Sequence, residues 1–179
     1  MSKWRPHRKD IYNKDYMWTD QGSYVYTGVY YMYDLPAGKL KLLKLAYLSI
    51  SLVLAILFTA GGYLNNPGSR VPYVILPYIT MFLPIAFIIS DTVKIIFSDN
   101  KMTFKQYNRS VLQLKRSVIA LIAISAAAIT GEISYLIFNG TKALLSSEIP
   151  YFLVCFAIFC ISVAFYFIQR KAVCISTEN

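Results

Sequence analysis

Residues Leu45–Leu64, LAYLSISLVLAILFTAGGYL, decide the fold class of this chain. The stretch carries no charge, and a helix needs about 20 residues at 1.5 Å each to cross a ~30 Å hydrocarbon core. A lone strand would leave its backbone groups unpaired in lipid, so the helix is the form expected. Working outward, Pro72–Phe97, Val118–Phe138 and Pro150–Ile168 read the same way. The competing reading is four buried helices of a soluble core. Hydrophobic residues make up 56% of the 179-residue chain and the mean hydropathy is +0.47. Too little polar chain remains to cover four such helices. The expected fold is an all-α integral membrane protein of four transmembrane helices in two hairpins.

Orientation follows from Lys and Arg. Lys3, Arg5, Arg8, Lys9, Lys14, Lys39, Lys41 and Lys44 precede the first span, and Lys94 closes the second. Lys101, Lys105, Arg109, Lys115 and Arg116 fill the central connection, and Arg170 and Lys171 follow the fourth span. Only Arg70 and Lys142 of the 18 basic residues lie in the two other connections. The positive-inside rule then predicts a cell-membrane protein with both termini cytoplasmic. With Glu132 and Glu148 assigned to the outer half, that side balances, and the net charge of +9 belongs to the cytoplasmic face. Lys101, Lys105, Arg109, Lys115 and Arg116 are the residues expected to face anionic headgroups, at ~1 kcal/mol per basic residue near the surface. Nucleic acid would also attract this charge, but no stretch resembles a nucleic-acid module, and no nucleic-acid partner is expected. The first thirty residues hold no apolar run before a small-residue cleavage site, so the first span is expected to serve as the targeting signal.

Composition excludes several chemistries. Cys155, Cys160 and Cys174 form no Cys-x-x-Cys pair and none lies in an outer connection, which removes a disulfide-generating oxidase. Spaced i, i+5, Cys155 and Cys160 do not share a helical face and read as small apolar packing residues. His7 is the only histidine, so a haem between helix histidines is excluded and a bundle metal site is not expected. No phosphate loop, nucleophile elbow or His–carboxylate pattern is present, and neither catalysis nor a cofactor is expected. Asn139-Gly140-Thr141 and Asn108-Arg109-Ser110 both match the glycosylation pattern, on opposite deduced faces, so neither is informative.

The chain divides into a Tyr-rich interfacial tail at 1–38, a transmembrane domain at 39–171 and a short tail at 172–179. The first contains Tyr12, Tyr16, Tyr24, Tyr26, Tyr30, Tyr31 and Tyr33 beside Trp4 and Trp18. Residues 23–30 have strand-like composition around Gly28, but a two-strand hairpin alone is marginal. The tail is expected at headgroup level, or as a partner-binding arm. Lys39, Lys41 and Lys44 are expected to snorkel to the headgroups. Pro77 and Pro84 each remove a backbone bond within the second span and predict a kink or a local loosening. Ala123, Ala127 and Gly131 recur at i, i+4, i+8, a stripe that permits close helix approach. Phe104, Tyr107, Val111 and Leu114 recur at helical spacing, which extends the third span back through Asn100–Arg116.

Two carboxylates stand in or near hydrocarbon, where a charge costs roughly 2.5–3.5 kcal/mol on insertion scales. Asp91 lies toward the inner end of its span, with Lys94 at i+3 as the partner of a surface ion pair. Glu132 lies toward the outer end of its span with no basic residue within a turn, and would be neutral and hydrogen-bonded. Some 12 Å of depth separates them, so they are not a pair. Two functions fit. One is a non-catalytic accessory or interaction subunit, binding a membrane protein or a second copy of itself. The other is a small transporter or channel subunit using Glu132. Transport needs polar groups converging at mid-depth, and beside the one carboxylate the spans offer only scattered Ser and Thr, including Ser51, Thr59, Thr80, Ser125 and Thr130.

Overall fold

A computed structural model of the chain describes residues 16–18, 24–98, 101–139, 142–172 and 174–177. Trp4, His7, Tyr12, Ser23, Asn100, Gly140 and Thr141 lie outside them. Four helices are long and apolar enough to cross a membrane, at Ala37–Tyr63, Pro72–Phe97, Phe104–Asn139 and Ser146–Lys171. The first span is one helix, α1 (Ala37–Tyr63). The second is two, α2 (Pro72–Thr80) and α3 (Phe82–Phe97). The third opens with α4 (Phe104–Tyr107), passes through a π-helical turn at Asn108–Leu112 and continues as α5 (Gln113–Asn139). The fourth lies within α6 (Lys142–Lys171). The helix thus begins before Pro150, where the sequence placed its start, and Glu148 stands on it rather than in a connection.

Successive spans are neighbours. Helix α1 packs on α3 and α6, and α5 packs on α2, α3 and α6, so the four close a ring. The buried positions advance by alternating threes and fours. In the second span they include Val74, Tyr78, Met81, Ile85, Ile88, Thr92 and Ile95; in the third, Leu114, Val118, Leu121, Ser125, Ala128, Glu132 and Tyr135. The fourth has Glu148, Tyr151, Cys155, Ile158, Ser162 and Phe165. This 3.5-residue repeat is the seam of nearly antiparallel helices crossing at about 20°. Leu76, Ile56 and Ile137 point outward, where lipid would cover them.

The division of the second span into two helices has the predicted cause. Pro84 has no N–H for the Thr80 carbonyl, and the ladder breaks at Met81, whose amide reaches back to both Pro77 and Tyr78. Pro77 likewise leaves the Tyr73 carbonyl without its i+4 donor. That oxygen packs against Gly131 of α5, where an added Cβ would stand only 2.6 Å from it. The small-residue stripe therefore splits. Gly131 accommodates this carbonyl, while Ala123 and Ala127 face outward.

Beyond the spans, the described residues form five short strands. β1 (Tyr16–Trp18) pairs antiparallel with β2 (Tyr24–Tyr26). β3 (Tyr30–Tyr33) is the centre of a second sheet, between β4 (Met102–Thr103) and β5 (Cys174–Thr177). The segments flanking Gly28 are thus strands, but they pair away from each other. Two long-range partners give β3 the support that an isolated hairpin lacks. The short tail at 172–179 contributes β5, so tail, central connection and C-terminal segment meet at one end of the bundle. Lys44 belongs to this basic end, but it does not snorkel. Its Nζ donates to the carbonyls of Ile96 (3.2 Å) and Ser98 (2.9 Å), closing the C-terminus of α3.

Candidate functional site

At the opposite end, the third and fourth spans each place a carboxyl on the buried seam. Glu132 and Glu148 are both 0% exposed. The chain between α1 and α2 closes over them. Asn66 Nδ2 donates to Glu148 Oε2 at 2.5 Å, and the Gly68 amide donates to Glu148 Oε1 at 2.7 Å. Gly68 is needed for this approach, because a Cβ there would meet Glu148 Oε2 at 2.9 Å and the Tyr135 ring at 3.2 Å. Its amide is presented from a 3-10 turn at Pro67–Arg70, which ends where Pro72 opens α2. Tyr135 and Tyr151 add aromatic walls from the same two seams.

Glu132 has no donor to either carboxyl oxygen among the described residues, and it lies beside Glu148. Ionised carboxylates only accept, so a bond between the two requires a proton between them. Among the described residues no cation pairs with either carboxyl, and the only ion pair there is Asp91–Lys94, with Lys94 Nζ 2.7 Å from Asp91 Oδ1. The expected Asp91 pair is therefore present, but it is not a surface pair. Asp91 is buried, its Oδ2 has no partner, and only Lys94 is half exposed.

Compared with family models, curated proteins and solved structures, this chain matches none.

The remaining polar candidates do not join the carboxyls. Ser51 donates to Leu48, Thr59 to Ala55, Thr80 to Leu76, Ser125 to Ile122 and Thr130 to Ala126, each a carbonyl of its own helix. Thr59, Thr80 and Thr130 are also exposed on the outer faces. The basic residues are likewise separated. Lys105 and Arg109 share one cleft with Lys94, Lys115 lines another, and Arg116 lines a third beside α3. Uninterrupted helix would have kept Lys105, Arg109 and Arg116 on one face. The π turn inserts an extra residue, a rotation of roughly 100° at 3.6 residues per turn.

Glu148 is the site residue that the sequence reading missed. The signal was a seven-residue spacing: Glu148, Cys155 and Ser162 in one span, Ser125 and Glu132 in the other. Among otherwise apolar residues, these small or polar side chains mark the packed face.

Proposed function

We propose that the protein is a non-catalytic, multi-pass subunit of a cell-membrane complex, with both termini cytoplasmic, acting by interaction with another membrane protein. The observation that carries this is the sheet at the basic end. Three parts of the chain far apart in sequence form a single platform there, and Tyr31 stacks on Tyr107 at 4.4 Å between ring centroids. Aromatic anchors on a supported surface are what interaction hot spots use. The return of these five hydroxyls to their own helices also supports this reading over transport, since none of the five joins Glu132. Purification in mild detergent should yield a stoichiometric partner, and Tyr31→Ala should release it while Glu132→Gln retains it. A homogeneous particle of this chain alone would overturn the reading.

Orientation is tested separately. Single cysteines at Ser69 and Ser146, in a chain lacking native cysteines, should react with an impermeant thiol reagent on intact cells. Cysteines at Thr27 and Lys101 should not. Labelling at either of the latter would reverse the topology.

The Glu132–Glu148 contact favours a second reading, a small transporter or channel subunit that moves a proton or cation. On that reading Glu132→Gln abolishes flux in proteoliposomes while the protein remains folded. On the first, the amide is tolerated because it keeps hydrogen-bonding capacity.

A further inference from the structure

At the basic end a cleft of about 230 Å³ opens between the first, third and fourth spans. Lys115, Gln169 and Arg170 are among its polar lining residues, and Tyr47, Tyr107, Val111 and Leu114 are among its other walls. Three features set it apart. Lys115 and Arg170 are exposed cations, and neither joins an ion pair among the described residues. Both amide atoms of Gln169 are shut off from solvent with no hydrogen-bond partner among the described residues. The third is the π turn, which supplies part of the wall through Val111 and Leu112; such turns are frequent at functional sites.

A buried amide with neither donor nor acceptor engaged is unfavourable unless something fills it. Here the vacant donor lies beside two cations, so the complementary group is an anion with acceptor oxygens. The vacant acceptor calls for a hydroxyl on the same molecule. Gln169 and Arg170 lie in the last turn of the fourth span, and Lys115 lies just before the apolar part of the third. On the proposed membrane placement, this is headgroup depth. Basic pockets between spans at this depth suit lipid phosphates. We infer that the cleft formed by Lys115, Gln169 and Arg170 binds an anionic phospholipid whose headgroup carries a hydroxyl. Arg170 and Lys115 hold the phosphate, the first through a planar fork of donors and the second as a point charge. Once its side chain rotates into the cleft, Gln169 donates to a phosphate oxygen and accepts from the headgroup hydroxyl. The acyl chains follow the outer face of the bundle. This inference uses the membrane placement but is independent of the accessory role.

The test uses the purified full chain in neutral detergent. Thermal unfolding is followed while phosphatidylglycerol is titrated in, with phosphatidylcholine and inorganic phosphate as parallel arms. Phosphatidylglycerol should raise the melting temperature saturably, and the other two should not. The K115Q/R170Q double variant should raise the half-saturating lipid concentration by about tenfold or more, the loss expected from charge-assisted bonds. Gln169→Leu should also raise it, with no change in net charge, and should leave the lipid-free melting temperature unchanged or higher. The K105Q/R109Q variant removes the same charge from the neighbouring cleft and should leave half-saturation in place. An equal loss in K105Q/R109Q would reduce the effect to diffuse attraction and overturn the site. So would an unaltered titration in Gln169→Leu. Equal stabilisation by inorganic phosphate would overturn the lipid as its occupant.

Discussion

The two ends of this bundle manage polarity in opposite ways. At the far end the carboxyls are buried, and Glu148 is held by donors from one short connection, Asn66 Nδ2 and the Gly68 amide. At the basic end most charges are exposed, and a three-stranded sheet gathers three segments of the chain. Lys44 and Lys94 have fixed partners there, while Lys105, Arg109, Lys115, Arg116 and Arg170 face clefts or the exterior. Buried polar groups depend on each partner, because losing one strands the other in a low dielectric. Exposed charges are exchangeable, because water solvates whichever remain. The far end should therefore be brittle to single substitutions and the basic end tolerant of them.

Glu148→Ala should show the largest effect. It strands the Asn66 amide and the Gly68 N–H at about 1–3 kcal/mol each, so a loss of about 2–6 kcal/mol is expected in reversible unfolding in detergent. Glu148→Gln should lose less, because its carbonyl still accepts. If Glu148→Ala were as stable as the parent, the contrast between the ends would fail. Gly131→Ala comes next. Its Cβ would press on the backbone oxygen of Tyr73, which cannot swing aside as a side chain can, and overpacking of this kind costs about 1–3 kcal/mol. Ala127→Gly, on the outward face of the same helix, gives the matched control for altered propensity.

Tyr31→Ala should cost about 1 kcal/mol, the scale of an aromatic pair. Its signature is local. Hydrogen exchange should accelerate at Tyr30–Tyr33 and Met102–Thr103 while the amides of the spans keep their protection. Acceleration throughout the spans would show that the platform and bundle are one cooperative unit. The smallest effect should come from K105Q/R109Q, whose unfolding free energy should stay within about 0.5 kcal/mol of the parent. A larger loss would mean that these cations hold the basic end together, contrary to their exposure.

Much of the bundle was legible in advance because lipid imposes length and hydropathy on any helix that crosses it. The Pro84 break was legible because proline lacks a donor wherever it stands. Asp91–Lys94 was legible because i, i+3 is a local relation, although its burial was not. Glu132 stands out in the sequence by its isolation, but its partner does not, because Glu148 reads as a charge in a connection and Pro150 as the start of its helix. A proline marks a helix start only when the preceding turn is absent, and here that turn is present. The dispersal of Lys105, Arg109, Lys115 and Arg116 was also hidden, because nothing in the spacing reveals a π turn.

Sequence alone determined the number of spans, their approximate limits and the separation of basic residues from the two other connections. These follow from transfer free energy, which depends on composition within a window and not on what the window touches. Tertiary structure decided which side of each span is buried. In water that choice is written into the sequence, since one face is apolar and the other polar. Here lipid-facing and core-facing positions are both apolar, and only packing separates Leu54 from Ile56 or Ile88 from Phe87. The meeting of Glu132 with Glu148, the cradle at Asn66 and Gly68, and the assembly of β3 with β4 and β5 all follow from that choice of faces.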